Sequence, residues 1–196
     1  MPRPRTYDVD EVLRAATVCF WEWGYDGGTV TRLEEATGLD RRQLFREFGD
    51  KHRLFLASLQ KFDEMAGAHY LGALEDPKSG IRDIRRTLMG FVNQGKHPLG
   101  QFGCLFCNTA REGNAMGAEG VAQAVTAHFA RVERAYRGTL ERALDVGETA
   151  IERSQLRAAA RSLLATHMGM LVMVRAGQSK ATLRDAADRA LAAIEQ

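Results

Sequence analysis

Arg41, Arg42, Gln43 and Arg46 fall within one short stretch of the chain, and Lys51 follows close behind. Guanidinium and carboxamide groups at this spacing on a helix donate to guanine and adenine edges and to phosphates, which is the chemistry of major-groove recognition. The same pattern also describes an ordinary solvated helix face. A second group of reactive side chains lies in the segment GQFGCLFCNTAREGN, where Cys104 and Cys107 are three residues apart. Three uses are open to the pair: small packing thiols beside a pocket, a redox or electrophile switch, or two ligands of a metal. A metal would need further ligands from His69, His128 or His167, and no spacing supports them, so neither a metal nor a cofactor is expected. The five His and three Cys form no recognisable acid, base and nucleophile spacing, so no catalytic residue is assigned and an enzyme is not indicated.

The donors around Arg41 need a scaffold, and the local sequence describes one. Val30, Leu33 and Ala36 recur at helical spacing and end at Gly38, which suits the left-handed backbone of a helix stop. Leu39 plugs the turn. Asp40 and Gln43 then match a capping box before the buried pair Leu44 and Phe48. Residues 29–48 therefore read as two short helices around a tight turn. Upstream, Asp8 or Asp10 caps a helix whose stripe is Val9, Val12, Leu13, Ala16, Phe20 and Trp23, stopped by Gly24, with Cys19 beside it as a small core residue. Downstream, Asp50 caps a longer helix with Leu54, Phe55, Leu59, Phe62 and Met65 inside. Lys51 sits in its first turn, where a cation and free backbone amides hold a phosphate. Arg3 and Arg5 form an arm that either reaches a minor groove or dangles.

These residues carry a family resemblance. Phe20 to Gly24-Tyr25, Thr29-Val30, Leu33, Ala36-Thr37-Gly38-Leu39, Leu44-Phe45, Phe48, Lys51 and Leu54 together resemble the N-terminal domain of the TetR/AcrR family of transcriptional regulators. The resemblance covers about the first sixty residues and rests on their ordered spacing. It implies a three-helix DNA-binding domain over residues 1–65, a larger all-helical domain over residues 66–196, a homodimer, and repression relieved by a small molecule. DNA contacts are then expected from Thr29, Asp40, Arg41, Arg42, Gln43, Phe45, Arg46 and Lys51. The sequence departs from the family pattern at Gly28, Arg42, Phe45 and Glu47. Phe45 has no hydroxyl to offer a phosphate and Glu47 repels one, so a different operator is expected.

The second half is richer in Ala, Gly and Met. Residues 75–80 read as a turn, followed by a helix from about Ile81 to Gly95 with Ile84, Leu88 and Phe91 inside. Gly90, Gly95 and Lys96 imitate a phosphate-binding loop, but His97 replaces the Ser or Thr and no strand precedes it. Gly103-Cys104-Leu105 leading into Asn108-Thr109-Ala110-Arg111-Glu112 resembles the sixth helix of many regulators of the family. A helix from about Glu119 to Val146 follows, with Val121, Val125, Phe129, Val132, Tyr136, Leu140 and Leu144 on one face and His128 at its border as a hydrogen-bonded core residue. Two last helices are expected over about Glu152 to Ala176 and Thr182 to Ile194. The first is apolar nearly all round between Leu163 and Val174, so this pair is expected to dimerise as a four-helix interface. Resemblance and apolar patterning place a small, largely apolar effector among Met65, His69, Phe91, Cys104, Cys107, Asn108, Arg111, Phe129, His167 and Met170.

The bulk properties agree without deciding. The chain has 196 residues, 45% of them hydrophobic, with Lys plus Arg at 27 against Asp plus Glu at 25. A net charge of +2 argues for no nucleic-acid partner by itself, so a local patch must act. No apolar run reaches the length of a signal core or membrane span, which predicts a cytoplasmic protein with reduced thiols. The reading is an all-α regulator that binds a near-palindromic double-stranded operator. One alternative is a thiol-based redox or electrophile-responsive regulator using Cys104 and Cys107. The other, from a different class, is a helical partner-binding module without DNA activity.

Overall fold

The computed structural model describes residues 7–94 and 99–195, without the side chains of Ala66 and His69. Arg3 and Arg5, and the Gly95, Lys96 and His97 of the loop-like motif, lie outside the described residues. The described residues form helices, turns and loops with no strand among them. No helix among them is long and apolar enough to cross a membrane.

Four helices build the N-terminal unit: α1 (Val9–Gly27), α2 (Val30–Thr37), α3 (Arg41–Phe48) and α4 (Lys51–Ala66). The local signals act as their chemistry dictates. Asp8 accepts the Asp10 and Glu11 amides to start α1. Gly38 closes α2 at φ 70, in the left-handed region. Asp40 and Gln43 exchange side-chain and backbone hydrogen bonds in a complete capping box at α3. Asp50 accepts the Arg53 amide to start α4. Leu33, Leu39, Leu44, Leu54 and Phe55 are buried between these helices, and the rings of Phe20 and Phe55 meet edge to face at 4.9 Å.

The structure corrects the expected stripe of the first helix. Trp21 is buried and Trp23 is 48% exposed, its ring covered by the Arg32 guanidinium at 3.9 Å. Gly24 does not end α1. It breaks the helix with φ 74 and the chain then continues helically to Gly27. Val9 is only half-buried and Ala36 is exposed, because α2 buries only the Leu33 side of its two turns.

A π-helical turn over Gly67–Leu71 leads from α4 into α5 (Gly72–Glu75). The rest comprises α6 (Ile81–Gln94), α7 (Leu105–Thr109), α8 (Gly113–Met116), α9 (Val121–Asp145), α10 (Leu156–Arg175) and α11 (Lys180–Ala192). Gly90 stands inside continuous α6 and no strand precedes it, so the phosphate-loop geometry is absent from the described part of that motif. Residues 153–155 form a 3-10 turn and α10 begins only at Leu156; Ser179 caps α11 through the Thr182 amide, so that α11 begins at Lys180, two residues earlier than expected. Cys104 is extended at the N-cap of α7, so the two thiols are not both helical as their spacing suggested. Tyr136, Leu140, Leu163, Met170 and Leu88 pack the core that α6, α9 and α10 share.

Candidate functional site

The outer face of α3 presents Arg41, Arg42 and Arg46, all exposed. Other residues of the expected DNA-contacting set have local work as well. The Thr29 hydroxyl accepts the Arg32 amide, and Asp40 and Gln43 hold the start of α3. The Arg41 amide donates to Glu34 at 2.7 Å, and its guanidinium lies 5.7 Å from the centre of the half-buried Phe45 ring. Lys51, at the start of α4, sits 4.8 Å from the Tyr25 ring centre. Glu47 accepts a hydrogen bond from the Tyr7 hydroxyl at 3.2 Å, which ties its carboxylate back towards α1. The result is a short helix carrying three guanidinium groups, flanked by a lysine.

Behind the N-terminal unit lies a cavity of about 550 Å³. Trp21 from α1, Phe62 and Met65 from α4, Tyr70, Ala73, Leu99 and Gly100 line it, with Arg86, Thr87, Gly90, Asn93 and Gln94 from α6. Gln94 is 7% exposed, and neither its Oε1 nor its Nε2 has a hydrogen-bond partner among the described residues. A buried carboxamide left without partners is destabilising by roughly 1–3 kcal/mol, so this one waits for a group that both donates and accepts.

The expected effector residues do not converge on this cavity. Met65 lines it; the side chain of His69 lies outside the described residues. Phe91 is fully buried against the His167 ring at 4.4 Å. Cys104 and His167 instead border a much smaller chamber with Phe62, Tyr70 and His128. Met170 is core, Asn108 donates to the Phe102 carbonyl, Arg111 is exposed, and Phe129 packs 5.9 Å from His128. Cys107 points to the Met168 thioether, 3.2 Å away.

Around the smaller chamber a polar relay crosses three helices. Cys104 and His128 line the chamber together. His128 Nδ1 meets Asp63 Oδ1 at 2.5 Å, which fixes the orientation of the imidazole. Asp63 Oδ2 accepts from Arg131 at 2.7 Å, and Arg131 forks onto Glu75 at 2.8 and 2.9 Å. The His128 ring stacks flat on Phe106 at 3.9 Å. The neighbouring Cys107 pulls the Cys104 thiol below the usual thiol range; burial opposes this and His128 assists it. Cys107 is pushed up by the neighbouring Cys104 and by burial. Burial draws His128 down, but Asp63 and Cys104 outweigh it and the net shift is upward.

The same segment grips α1. Glu112 accepts the Tyr25 amide at 2.8 Å and the Asp26 amide at 3.3 Å, and Asn114 donates to Asp26. Trp21 Nε1 donates to the Gly103 carbonyl, while Arg175 at the end of α10 donates to the carbonyls of Trp21, Glu22 and Phe102.

Sequence reading missed Asp63, Gln94, Trp21 and Glu112. Asp63 follows Phe62 directly at a boundary of an apolar stripe, and such a boundary carboxylate is most often solvated. Nothing local marks Gln94 as unpartnered.

Residues 12–58 match the family described as "Bacterial regulatory proteins, tetR family". YezE of Bacillus subtilis, an uncharacterized HTH-type transcriptional regulator, is 28% identical over 195 residues and covers 100% of both chains. A cysteine mutant of the TetR-family transcriptional regulator CifR, complexed with 26-bp operator DNA, superposes with a TM-score of 0.86 at 26% identity over 97% of this chain and 99% of that one. Residues 12–58 are a tetR-family domain. Within the family, the HTH-type transcriptional repressor AcnR of Corynebacterium efficiens is 60% identical over 47 residues, which is 24% of this chain and 25% of AcnR. A family regulator from Agrobacterium tumefaciens shares the fold at 21% identity, with a TM-score of 0.83 over 95% and 97% of the two chains. This chain is thus a DNA-binding transcriptional regulator rather than an enzyme, with a helix-turn-helix at its N-terminus and a helical C-terminal domain.

Proposed function

We propose that the protein is a cytoplasmic homodimeric repressor that leaves a near-palindromic operator when a small, largely apolar ligand enters the 550 Å³ cavity. The observation that carries this reading is that α4 serves both sites. Its first residue, Lys51, flanks the recognition helix, and Phe62 and Met65 near its last turn form the cavity wall. A ligand that pushes on Phe62 and Met65 therefore moves the rod that supports α3. Residues 1–65 hold the DNA and residues 66–196 hold the ligand and the second subunit, with α4 spanning the border.

The ligand's chemistry follows from the walls. Trp21, Phe62, Met65, Tyr70 and Leu99 supply apolar surface, and the Gln94 amide supplies one donor and one acceptor. Two reading helices in a dimer lie about 34 Å apart when they fit successive major grooves. Ligand binding releases the operator only as far as the ligand prefers the dimer whose spacing does not fit. The exposed face of α10 favours dimerisation there. Ala158, Ser162, Ala165, Gly169 and Val172 recur along it, all exposed and small enough for close helix packing. The curated names of AcnR and ComR of Escherichia coli as repressors favour repression over activation.

The test is binding of the purified protein to fragments of its own upstream DNA at two salt concentrations, beside a variant with Arg41, Arg42 and Lys51 changed to Ala. The reading requires tight, salt-sensitive binding that the variant loses. Binding to no sequence at low salt defeats it.

A further inference from the structure

We propose that the 550 Å³ cavity takes an uncharged, flat heterocycle with an N–H donor beside a carbonyl acceptor, a cyclic amide, and that Gln94 pairs with that edge. The proposal rests on the repressor reading given above, because it names the ligand class of the same cavity.

The amide itself carries the assignment furthest. Gln94 closes α6, is 7% exposed, and lines the cavity with both Oε1 and Nε2 unpartnered among the described residues. A carboxamide presents an acceptor and a donor side by side in one plane. Its complement is a donor and an acceptor on neighbouring atoms, the match by which Gln reads the edge of adenine. A wholly apolar ligand leaves both amide atoms desolvated and unbonded, which is the costly case.

The walls select a flat ring. The Trp21 indole N–H is already taken by the Gly103 carbonyl at 3.1 Å, and the ring meets Phe62 edge to face at 4.9 Å. Trp21 therefore offers the cavity only its ring, beside those of Phe62 and Tyr70, and aromatic walls favour stacked or edge-on aromatic ligands.

Charge excludes the cations. Arg86 is the one charged side chain among the described lining residues; it is 62% exposed and pairs with Asp83 at 3.3 Å. No carboxylate lines the cavity among those residues, so a cation finds no counter-charge inside and meets Arg86 at the rim.

The register of α6 sets how the ring lies. Arg86, Gly90 and Gln94 stand at four-residue steps on one face of the helix. Gly90 leaves bare backbone between the two side chains, and a Cβ there would meet nothing within 4 Å. A ring paired with Gln94 lies over Gly90, and the eight residues back to Arg86 span about 12 Å of helix. An acidic arm that reaches Arg86 adds only roughly a few-fold in affinity, because that guanidinium is exposed.

The experiment titrates the full chain, by calorimetry, with three flat probes of similar size: 2-quinolone, its N-methyl derivative and the N-methylquinolinium cation. The native chain should bind 2-quinolone roughly tenfold or more tighter than the N-methyl derivative, which lacks the donor, and should bind the cation weakest. In Gln94→Leu the two neutral probes should bind alike. In Gly90→Leu, whose side chain fills the space over the helix, none should bind while the circular dichroism stays native. Equal affinity of the two neutral probes for the native chain overturns the proposal without recourse to any variant. So does a cation that binds as tightly as 2-quinolone, a preference that survives Gln94→Leu, binding retained by Gly90→Leu, or no binding of 2-quinolone at all. A parallel arm measures operator affinity with 2-quinolone present. Selective binding that leaves operator affinity unchanged supports the ligand class and overturns release by that ligand, whereas operator release by 2-quinolone and its N-methyl derivative alike supports the repressor reading and overturns the ligand class.

Discussion

The Glu112 carboxylate caps a helix to which it does not belong, accepting the Tyr25 amide at 2.8 Å where Gly24 breaks α1. A Cβ at Gly24 would lie 2.2 Å from Glu112 Oε1, and the backbone there has φ 74. Gly24→Ala should therefore be destabilising by about 1–3 kcal/mol, through strain and displacement of the carboxylate. Denaturant unfolding of Gly24→Ala, Glu112→Ala and the double variant checks this. Because both changes remove the same contact, the double variant should lose less than the sum, and strict additivity contradicts the coupling.

Gln94→Leu should have opposite effects on the two properties of the cavity. Replacing an unpartnered buried carboxamide with an apolar side chain raises the stability of the empty protein, by roughly 1–3 kcal/mol. It should also weaken any ligand that bonds the amide. Thermal unfolding with and without a ligand found by screening separates these, and a variant less stable when empty shows that the amide already has a partner.

Arg41→Ala, Arg42→Ala, Arg46→Ala and Lys51→Ala should sort the DNA contacts. A side chain that holds only phosphate, as expected for Lys51, lowers affinity for all sequences and takes about one unit from the slope of log affinity against log salt. One that reads a base edge loses about 1–3 kcal/mol on the operator and relaxes preference at a single base pair. Titration of each variant against operator and scrambled duplexes at several salt concentrations distinguishes them. Asp40→Ala should act through the fold, at about 1 kcal/mol for the lost cap.

His167 should make the protein acid-sensitive. It is fully buried, its Nδ1 lies 3.0 Å from the Tyr136 hydroxyl, and burial lowers its pKa from 6.5 to about 3. Below pH 6.5 the unfolded chain takes up a proton that the folded chain refuses until about pH 3. Stability is thus full above 6.5 and is lost towards 3, at about 1.4 kcal/mol per pH unit for this group. Asp63, lowered, adds to the acid loss further down, whereas His128, raised, opposes it. His167→Asn keeps an acceptor for Tyr136 without titrating, so the difference between its stability curve and that of the native chain isolates this slope. Parallel curves contradict it.

What the sequence by itself determined is whatever closes within a helical turn. Gly38 in the left-handed region, the Asp40 and Gln43 box and the Asp50 cap are hydrogen bonds and backbone preferences between near neighbours, and they are legible wherever the residues occur. Helix periodicity likewise outlined α6, α9 and α10. Only the tertiary structure decided which Trp of α1 is buried, because the partners of Trp21, the Gly103 carbonyl and the rings of Phe62 and Phe102, come from distant parts of the chain. It also brought Cys104, His128 and Asp63 together, although His128 and Asp63 are 65 residues apart. Burial supplies the reason. A thiol, an imidazole and a carboxylate at the borders of three separate apolar stripes look like solvated neighbours until packing removes the water and leaves them only one another.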